Sequence, residues 1–381
     1  MTGRTTVADI FAGCGGGSIG FRQVGFEVVG AVEIDGDAAA AYAANVGVKP
    51  LRRDIREVTG RDLLERTGVG AGELTLLFGC PPCQSFTILR RGAAESELDG
   101  VRNSLPGEYV RLVDELRPRH IAFENVPGMV DGRWRHRFDE LLSDLVKLGY
   151  RCRWNVLDAA DYGVPQRRRR VVVVGSRLVE PTLPVASHAA SGEGGLQSHR
   201  TVRDAIGRLR PLGPGEADPG DSLHRARRHC ELALRRLRAV PEGGGRMNLP
   251  PELQLACHQG HPGHYDIYGR MWWDRVAPTL TSGCTNVTKG RFGHPEQDRA
   301  ITLREALLLQ GFPDSATLSG VNTDTMALQV GNAVPPPLAA AVGHTVLEME
   351  RDAGAAVRFS LRAQAGTGAS GPVVTGRAAV G

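Results

Sequence analysis

The chain has no apolar run long enough to cross a bilayer, and its N-terminus lacks the basic, apolar, small-residue order of a secretory signal. No membrane role is expected, and Met1 leads almost at once into Thr6–Phe11, which reads as a first strand. A disulfide framework is missing too. The seven cysteines are odd in number and scattered at positions 14, 80, 83, 152, 230, 257 and 284, which argues against a stapled secreted scaffold and fits a reducing cytoplasm. There is no internal repeat, so repeat architectures are not expected. Nor is there a large excess of one charge: the formal net charge is +4, compatible with a polyanionic partner without requiring one.

What is present is room and glycine. A chain of 381 residues can hold one large core plus a smaller domain, and 49 glycines point to many loops and tight turns. Residues 1–176 follow the grammar of an α/β domain. Val7–Phe11 is a short apolar run closed by Gly13, Gly15, Gly16 and Gly17, and an apolar-periodic segment through Ile19, Phe21 and Val24 follows: strand, glycine turn, helix. Val28–Val32 reads as a second strand ending at Glu33 and Asp35, before an alanine-rich helix through Tyr42. Leu74–Phe78, His120–Phe123, a stretch near 151–157 and Val171–Val174 read as further strands, the last too apolar for a solvent-facing edge. Helices are expected over 108–116 and through Phe138, Leu141, Leu142 and Leu145. The alternation predicts a mostly parallel sheet covered on both faces.

From 177 to 290 the character changes. Pro181, Pro184, Pro211, Pro214, Pro219 and Pro241 break the chain, Gly243–Gly245 adds a loop, and helix is expected only at 201–209 and 222–239. This is read as a smaller, irregular second domain. Order returns over 291–350, with a helix Leu303–Leu309 capped by Thr302 and another after Pro335–Pro337. The end, 351–381, is expected to be a flexible tail.

The glycine turn lets backbone approach a ligand, with free amides on the helix behind it. Glu33, at a strand end, sits where an acid can accept both ribose hydroxyls of a nucleoside. Asp54 is placed to accept from an adenine amino group, with Ile55 packing on the ring. Turn glycines and surface acids without a ligand are the alternative reading of these features. A second group gathers at other strand ends. Pro81 and Pro82 hold Cys83 in a rigid loop at the carboxyl edge of the sheet, Glu124 and Asn125 end another strand, and Gln166–Arg170 leads into Val171–Val174.

In order, these segments resemble the DNA (cytosine-5)-methyltransferase family. The resemblance covers nearly all of 6–176 and 268–348: Phe11–Gly16, Glu33, Asp54, Pro81–Gln84, Glu124–Val126, and Gln166, Arg168 and Arg170. It continues with Arg299, Thr302, Arg304 and Glu305, then Gln310–Pro313 and Gln329–Val334. Cys80 departs from it, standing where such proteins commonly carry a small residue such as glycine. The implied fold is a Rossmann-like, S-adenosylmethionine-dependent methyltransferase domain with a smaller target-recognition domain at 177–290. The implied chemistry is attack by Cys83 on C6 of a flipped-out cytosine, which makes C5 nucleophilic enough to take a methyl group. Glu124 would hold or protonate N3, Arg168 would bind O2, and Arg170 would support the site or a phosphate.

The resemblance further implies that Phe11, Gly13, Gly15, Gly16, Glu33, Ile34, Asp54, Ile55, Pro81, Asn332 and Val334 bind S-adenosylmethionine, released as S-adenosylhomocysteine, with no metal required. Gln84, Ser85, Asn125 and Gln166 would meet double-stranded DNA, together with Arg270, Arg275, Thr279, Thr281, Lys289 and Arg291 from the recognition domain. A bacterial, cytoplasmic, monomeric enzyme is expected, nucleoid-associated when on DNA, with a cognate restriction endonuclease as a candidate partner. Cys257, His258, His261 and His264 match no common zinc spacing and read better as an irregular DNA-facing loop. Two other classes compete with this one. An RNA-modifying enzyme with the same core is disfavoured by the long arginine-rich insert, and a non-catalytic DNA-binding module by the presence of both Cys83 and Glu124.

Overall fold

The computed structural model describes residues 4–82, 104–255, 263 and 265–366. Strands β1 (Thr6–Ile10), β2 (Glu27–Val32), β3 (Leu76–Gly79), β4 (His120–Asn125), β5 (Arg151–Asp158) and β6 (Arg169–Ser176) form one sheet in the order β2-β1-β3-β4-β6-β5. β1 pairs parallel with β2 and β3, and β3 with β4, as the alternation of elements predicts. β6 is the exception, antiparallel to both neighbours. That reversal brings the start of β6 to the carboxyl end of β4, where Asn125 lies opposite Val171.

Burial follows the strand period of two. Val7 in β1, with Val172 and Val174 in β6, packs into one apolar cluster. Ala8, Ile10, Val171 and Val173 pack into the other, on the opposite face of the sheet. The helices α1 (Gly16–Gln23), α2 (Gly36–Val46), α3 (Gly60–Thr67), α4 (Leu105–Leu116) and α5 (Arg135–Lys147) supply the cover: Phe21 and Tyr42 belong to the first cluster, Leu63, Leu112 and Phe138 to the second.

In the inserted region α6 (Val202–Ile206) and α7 (Glu231–Ala239) are the α-helices among the described residues. The expected helix 222–239 is only half right. Asp221–Arg225 is a strand, paired antiparallel with Ala217–Asp218. Asp221 is ion-paired with Arg304, and His224 is buried between Thr302 and the Arg210 carbonyl. Those polar partners hold the segment extended against the helix that follows residue 302. The insert does not keep its core to itself: Val202, Ile206, Leu223, Met271 and Leu280 join the first cluster of the sheet domain.

The return segment forms α8 (Leu303–Leu309), α9 (Thr323–Asn332) and α10 (Pro336–Gly366). Thr302 caps α8 as read from the sequence, in a reciprocal capping box with Glu305. α10 runs on through Gly366, so the expected tail at 351–381 is helical over its first part, and 367–381 lies outside the described residues. α1 and the return segment meet through glycine: a Cβ on Gly16 would collide with the Val334 carbonyl, and one on Gly20 with that of Pro336.

A buried ion pair anchors this return. Arg299 forks onto Glu305 at 2.7 and 2.8 Å, with the two side chains 0% and 1% exposed. Burial alone would raise the Glu305 carboxyl, but the bonds and charge of Arg299 outweigh it and bring it down to about 2. Removing one partner leaves the other charged and desolvated. Arg299→Met should therefore lower the unfolding free energy at neutral pH by about 3–5 kcal/mol. Chemical denaturation checks this, and an unchanged midpoint would contradict it.

Candidate active site

The strand order sets the order of chemical groups along the carboxyl edge of the sheet. Glu33 follows β2, Phe11 and Gly13 follow β1, Cys80, Pro81 and Pro82 follow β3, Glu124 lies in β4, and Arg170 starts the reversed β6. All of these line one cavity of about 600 Å³, together with Ile34, Asp54, Ile55, Arg168 and Asn332. One cleft therefore joins the two sets of residues that the sequence reading kept apart.

At the β2 end the carboxylate of Glu33 accepts from the Gly13 amide at 2.7 Å and from the Asp35 amide at 2.9 Å. Burial raises its pKa, and these amide bonds pull the other way. Ile34 is 60% exposed and lines the cavity, an apolar surface facing a space rather than a core. Phe11 holds a positive φ of 60°, a conformation that a bulky residue rarely adopts and that places it at the cavity wall. Asp54 lines the same space, but Arg56 binds both its oxygens and lowers its pKa. Gly15, Gly16 and Val334 are not among the residues that line this cavity. Gly15 (φ 97°) begins α1 beside Tyr42 and Val46, while Gly16 packs on the Val334 backbone.

Beneath the glycine turn is a network that the sequence reading misses. Ser18 Oγ donates to Asp9 at 2.6 Å and lies 2.7 Å from the Tyr42 hydroxyl, all three buried. Burial first pushes the Asp9 carboxyl up to about 7; the Ser18 bonds oppose this, and the charge of Glu33 adds to it. The usable signal is an acid in the middle of an otherwise apolar strand. Thr325, Leu328 and Gln329 are missed as well, and with Asn332 they line the cavity at helical spacing on one face of α9.

At the β4 end Glu124 is buried. Its Oε1 lies 2.9 Å from Arg170 Nε, and its Oε2 accepts from the Cys80 thiol at 2.8 Å. Arg168 also reaches the cavity, but its guanidinium donates to the carbonyls of Leu280, Gly331 and Ala333. Arg170 therefore faces the acid, whereas Arg168 is bonded to the backbone of the insert and of the return segment. Asn125 is buried, donates to the Pro81 carbonyl and accepts from the Val126 amide, which braces the loop before residue 83. Cys83, Gln84 and Ser85 lie outside the described residues, as do Cys257, His258, His261 and His264. Three other thiols are unsuited to attack, since burial pushes Cys14, Cys152 and Cys284 up to about 12.

The expected DNA contacts divide by burial. Gln166 is buried and bonded to Gln310, the Leu309 carbonyl and the Leu280 amide. Arg270 is buried with its donors on the carbonyls of Leu237, Val240, His294 and Gln297 and on Asp298. Arg291 is committed to Asp266 and to the carbonyls of Gly243 and Gly244. The Arg270 and Arg291 guanidinium groups are thus directed at interior acceptors. Arg275, Thr279, Thr281 and Lys289 are exposed, with Arg275 stacked 4.7 Å over Trp272.

Comparison with known proteins bears on the whole chain. The family model described as C-5 cytosine-specific DNA methylase matches residues 5–348. The chain is 36% identical to the type II methylase M.HgiDII of Herpetosiphon aurantiacus, over 89% of this chain and 94% of that one. It is 33% identical to the type II methyltransferase M1.HphI of Haemophilus parahaemolyticus, over 90% and 87%. A crystal structure of the Dnmt2 methyltransferase of S. pombe shares the fold, with a TM-score of 0.59 at 16% identity, covering 91% of this chain and 99% of that one.

The Asp9 network makes stability depend on pH. Its folded-state value of about 7 lies above the ordinary 3.8, so the stability it contributes is complete below about pH 4 and is lost as pH rises through 7. Asp9→Asn cannot ionise. Relative to wild type, this variant should gain up to about 4 kcal/mol of unfolding free energy between pH 4 and pH 8. Urea titrations across that range read the difference, and one that does not vary with pH would return Asp9 to an ordinary carboxyl.

Proposed function

The chain belongs to the C-5 cytosine-specific DNA methylase family, and we propose that it methylates one cytosine within a specific duplex sequence through a covalent bond between Cys83 and the ring C6. It is an S-adenosylmethionine-dependent enzyme of DNA methylation. The observation that carries the finer reading is one cavity shared by a nucleoside-type acid at Glu33 and a base-type acid at Glu124, with Pro82, the residue before Cys83, in its described lining.

The cofactor half suits its ligand. Glu33 is desolvated, fixed by two amides and turned to the cavity, as an acceptor for two ribose hydroxyls needs to be. Ile34 and Ile55 offer apolar surface for a flat ring, and Asp54 offers an acceptor beside them. S-adenosylmethionine supplies the electrophilic methyl group. Phe11, Gly13, Pro81 and Asn332 complete its walls.

In the base half a cytosine must leave the duplex stack before any group can reach it. The Cys83 thiolate adds to C6, and the electrons displaced from the C5–C6 double bond run toward N3 and O2. Glu124 meets that charge with a proton at N3, and Arg170, beside it, is placed to meet O2. C5 would then bond the methyl carbon as that carbon's bond to the S-adenosylmethionine sulfur breaks, leaving S-adenosylhomocysteine. Loss of the C5 proton to solvent, departure of the Cys83 thiolate and return of the N3 proton to Glu124 restore the aromatic ring. Arg168 positions the site and does not touch the base. Asn125 braces the loop that carries Cys83. Phosphate contacts fall to the exposed Arg275, Thr279, Thr281 and Lys289 of the recognition segment.

Cys83→Ala should reduce methyl transfer to duplex DNA below detection while S-adenosylmethionine still binds with wild-type affinity by calorimetry, because the thiol meets only the base. Full turnover by this variant would refute the covalent route.

A further inference from the structure

We propose that Cys80 is a positioning residue for the methyl transfer: its thiol holds the Glu124 carboxyl turned into the base half of the cavity until a cytosine replaces that bond. The inference rests on the catalytic reading of Glu124. It starts from the contact between the Cys80 thiol and the Glu124 carboxyl.

Cys80 follows β3 directly and lines the cavity, and its backbone amide is bonded to the Ile10 carbonyl, which fixes where its side chain begins. Its thiol donates to Glu124 Oε2 at 2.8 Å. The other oxygen of that carboxyl faces Arg170 Nε at 2.9 Å, within ion-pairing distance but without an aligned hydrogen bond. The carboxyl is 5% exposed, so these two side chains, rather than bulk water, define its orientation. Arg170 supplies charge and Cys80 supplies direction.

The chemistry of sulfur suits that task. A thiol is a weak donor, so its bond to a carboxyl is surrendered at small cost when a ring nitrogen arrives. A small residue at position 80 would open a gap beside Oε2, to be filled by water that an incoming base must displace. The cysteine fills that gap with a soft, apolar atom and keeps the acid in one rotamer. Cys80 takes part in no bond-making step. Its effect reaches the base only through Glu124.

The test compares wild type, Cys80→Ala and Cys80→Ser in single-turnover methyl transfer to a duplex whose target is first mapped by bisulfite sequencing of the wild-type product. Alanine removes the donor, and serine restores one of similar size. Cys80→Ala is expected to slow the single-turnover rate by roughly 10-fold. Its apparent KM values for S-adenosylmethionine and DNA should stay within about twofold of wild type. Cys80→Ser is expected to recover most of the lost rate. Calorimetric binding of S-adenosylmethionine shows that each variant is folded. A wild-type rate in Cys80→Ala overturns the proposal and leaves the catalytic reading intact. Equal losses in folded Cys80→Ala and Cys80→Ser variants assign the cysteine to packing and overturn it as well. No methyl transfer by the wild type to any DNA would instead overturn the catalytic reading, and this inference with it.

Discussion

Arg168 is fully buried and donates to three backbone carbonyls, those of Leu280, Gly331 and Ala333. Leu280 belongs to the inserted region, Gly331 and Ala333 to the end of α9, and Arg168 itself leads into β6. One cation therefore ties the start of β6 to two stretches of chain that lie more than a hundred residues further on. Gln166 reinforces the joint through Gln310, which in turn donates to the Val330 carbonyl. Gly331 makes it possible, because a Cβ there would run into the backbone of Thr281 and Ser282. A buried charge left without these carbonyls would be costly, so the joint is closed completely or not at all.

The cavity depends on that closure. β1, β2 and β3 provide its floor, but Gly331, Asn332 and the α9 face bearing Thr325 and Leu328 are brought to it by the Arg168 joint. Closing the wall also desolvates what lies behind it. Glu33 becomes an acid whose charge is held by amides, and Glu124 one that is held by an arginine and a thiol. Burial elsewhere in the two apolar clusters raises the Cys14, Cys152 and Cys284 thiols to about 12. Among the described cysteines, Cys80 alone lines the cleft.

Much of this is legible in the amino-acid sequence. Strand–turn–helix at residues 6–24, the acids at strand ends and the Thr302 cap all rest on local rules, and each is found where those rules put it. The antiparallel sense of β6 is not legible, because four consecutive valines fit a buried strand of either direction. The fate of the arginines is hidden as well. Arg270 and Arg275 look alike in sequence, yet one is buried among carbonyls and the other is exposed on Trp272, a difference set by contacts distant along the chain. Residues 222–225 read as helix because the partners that hold this strand extended, Thr302 and Arg304, lie some eighty residues away. Site residues are readable where chemistry restricts residue type, and unreadable where burial decides the role.

The central claim is a covalent bond from Cys83 to a cytosine ring held by Glu124 and Arg170. Duplex DNA carrying 5-fluorocytosine at the mapped target tests it most directly, because fluorine at C5 cannot leave as a proton does and the bond should persist after methyl transfer. With S-adenosylmethionine present, a denaturation-resistant protein–DNA adduct is expected, and peptide mapping should place it on Cys83. Methylation of ordinary cytosine at that target, with no adduct on the fluorinated duplex or with an adduct on another residue, would contradict the account.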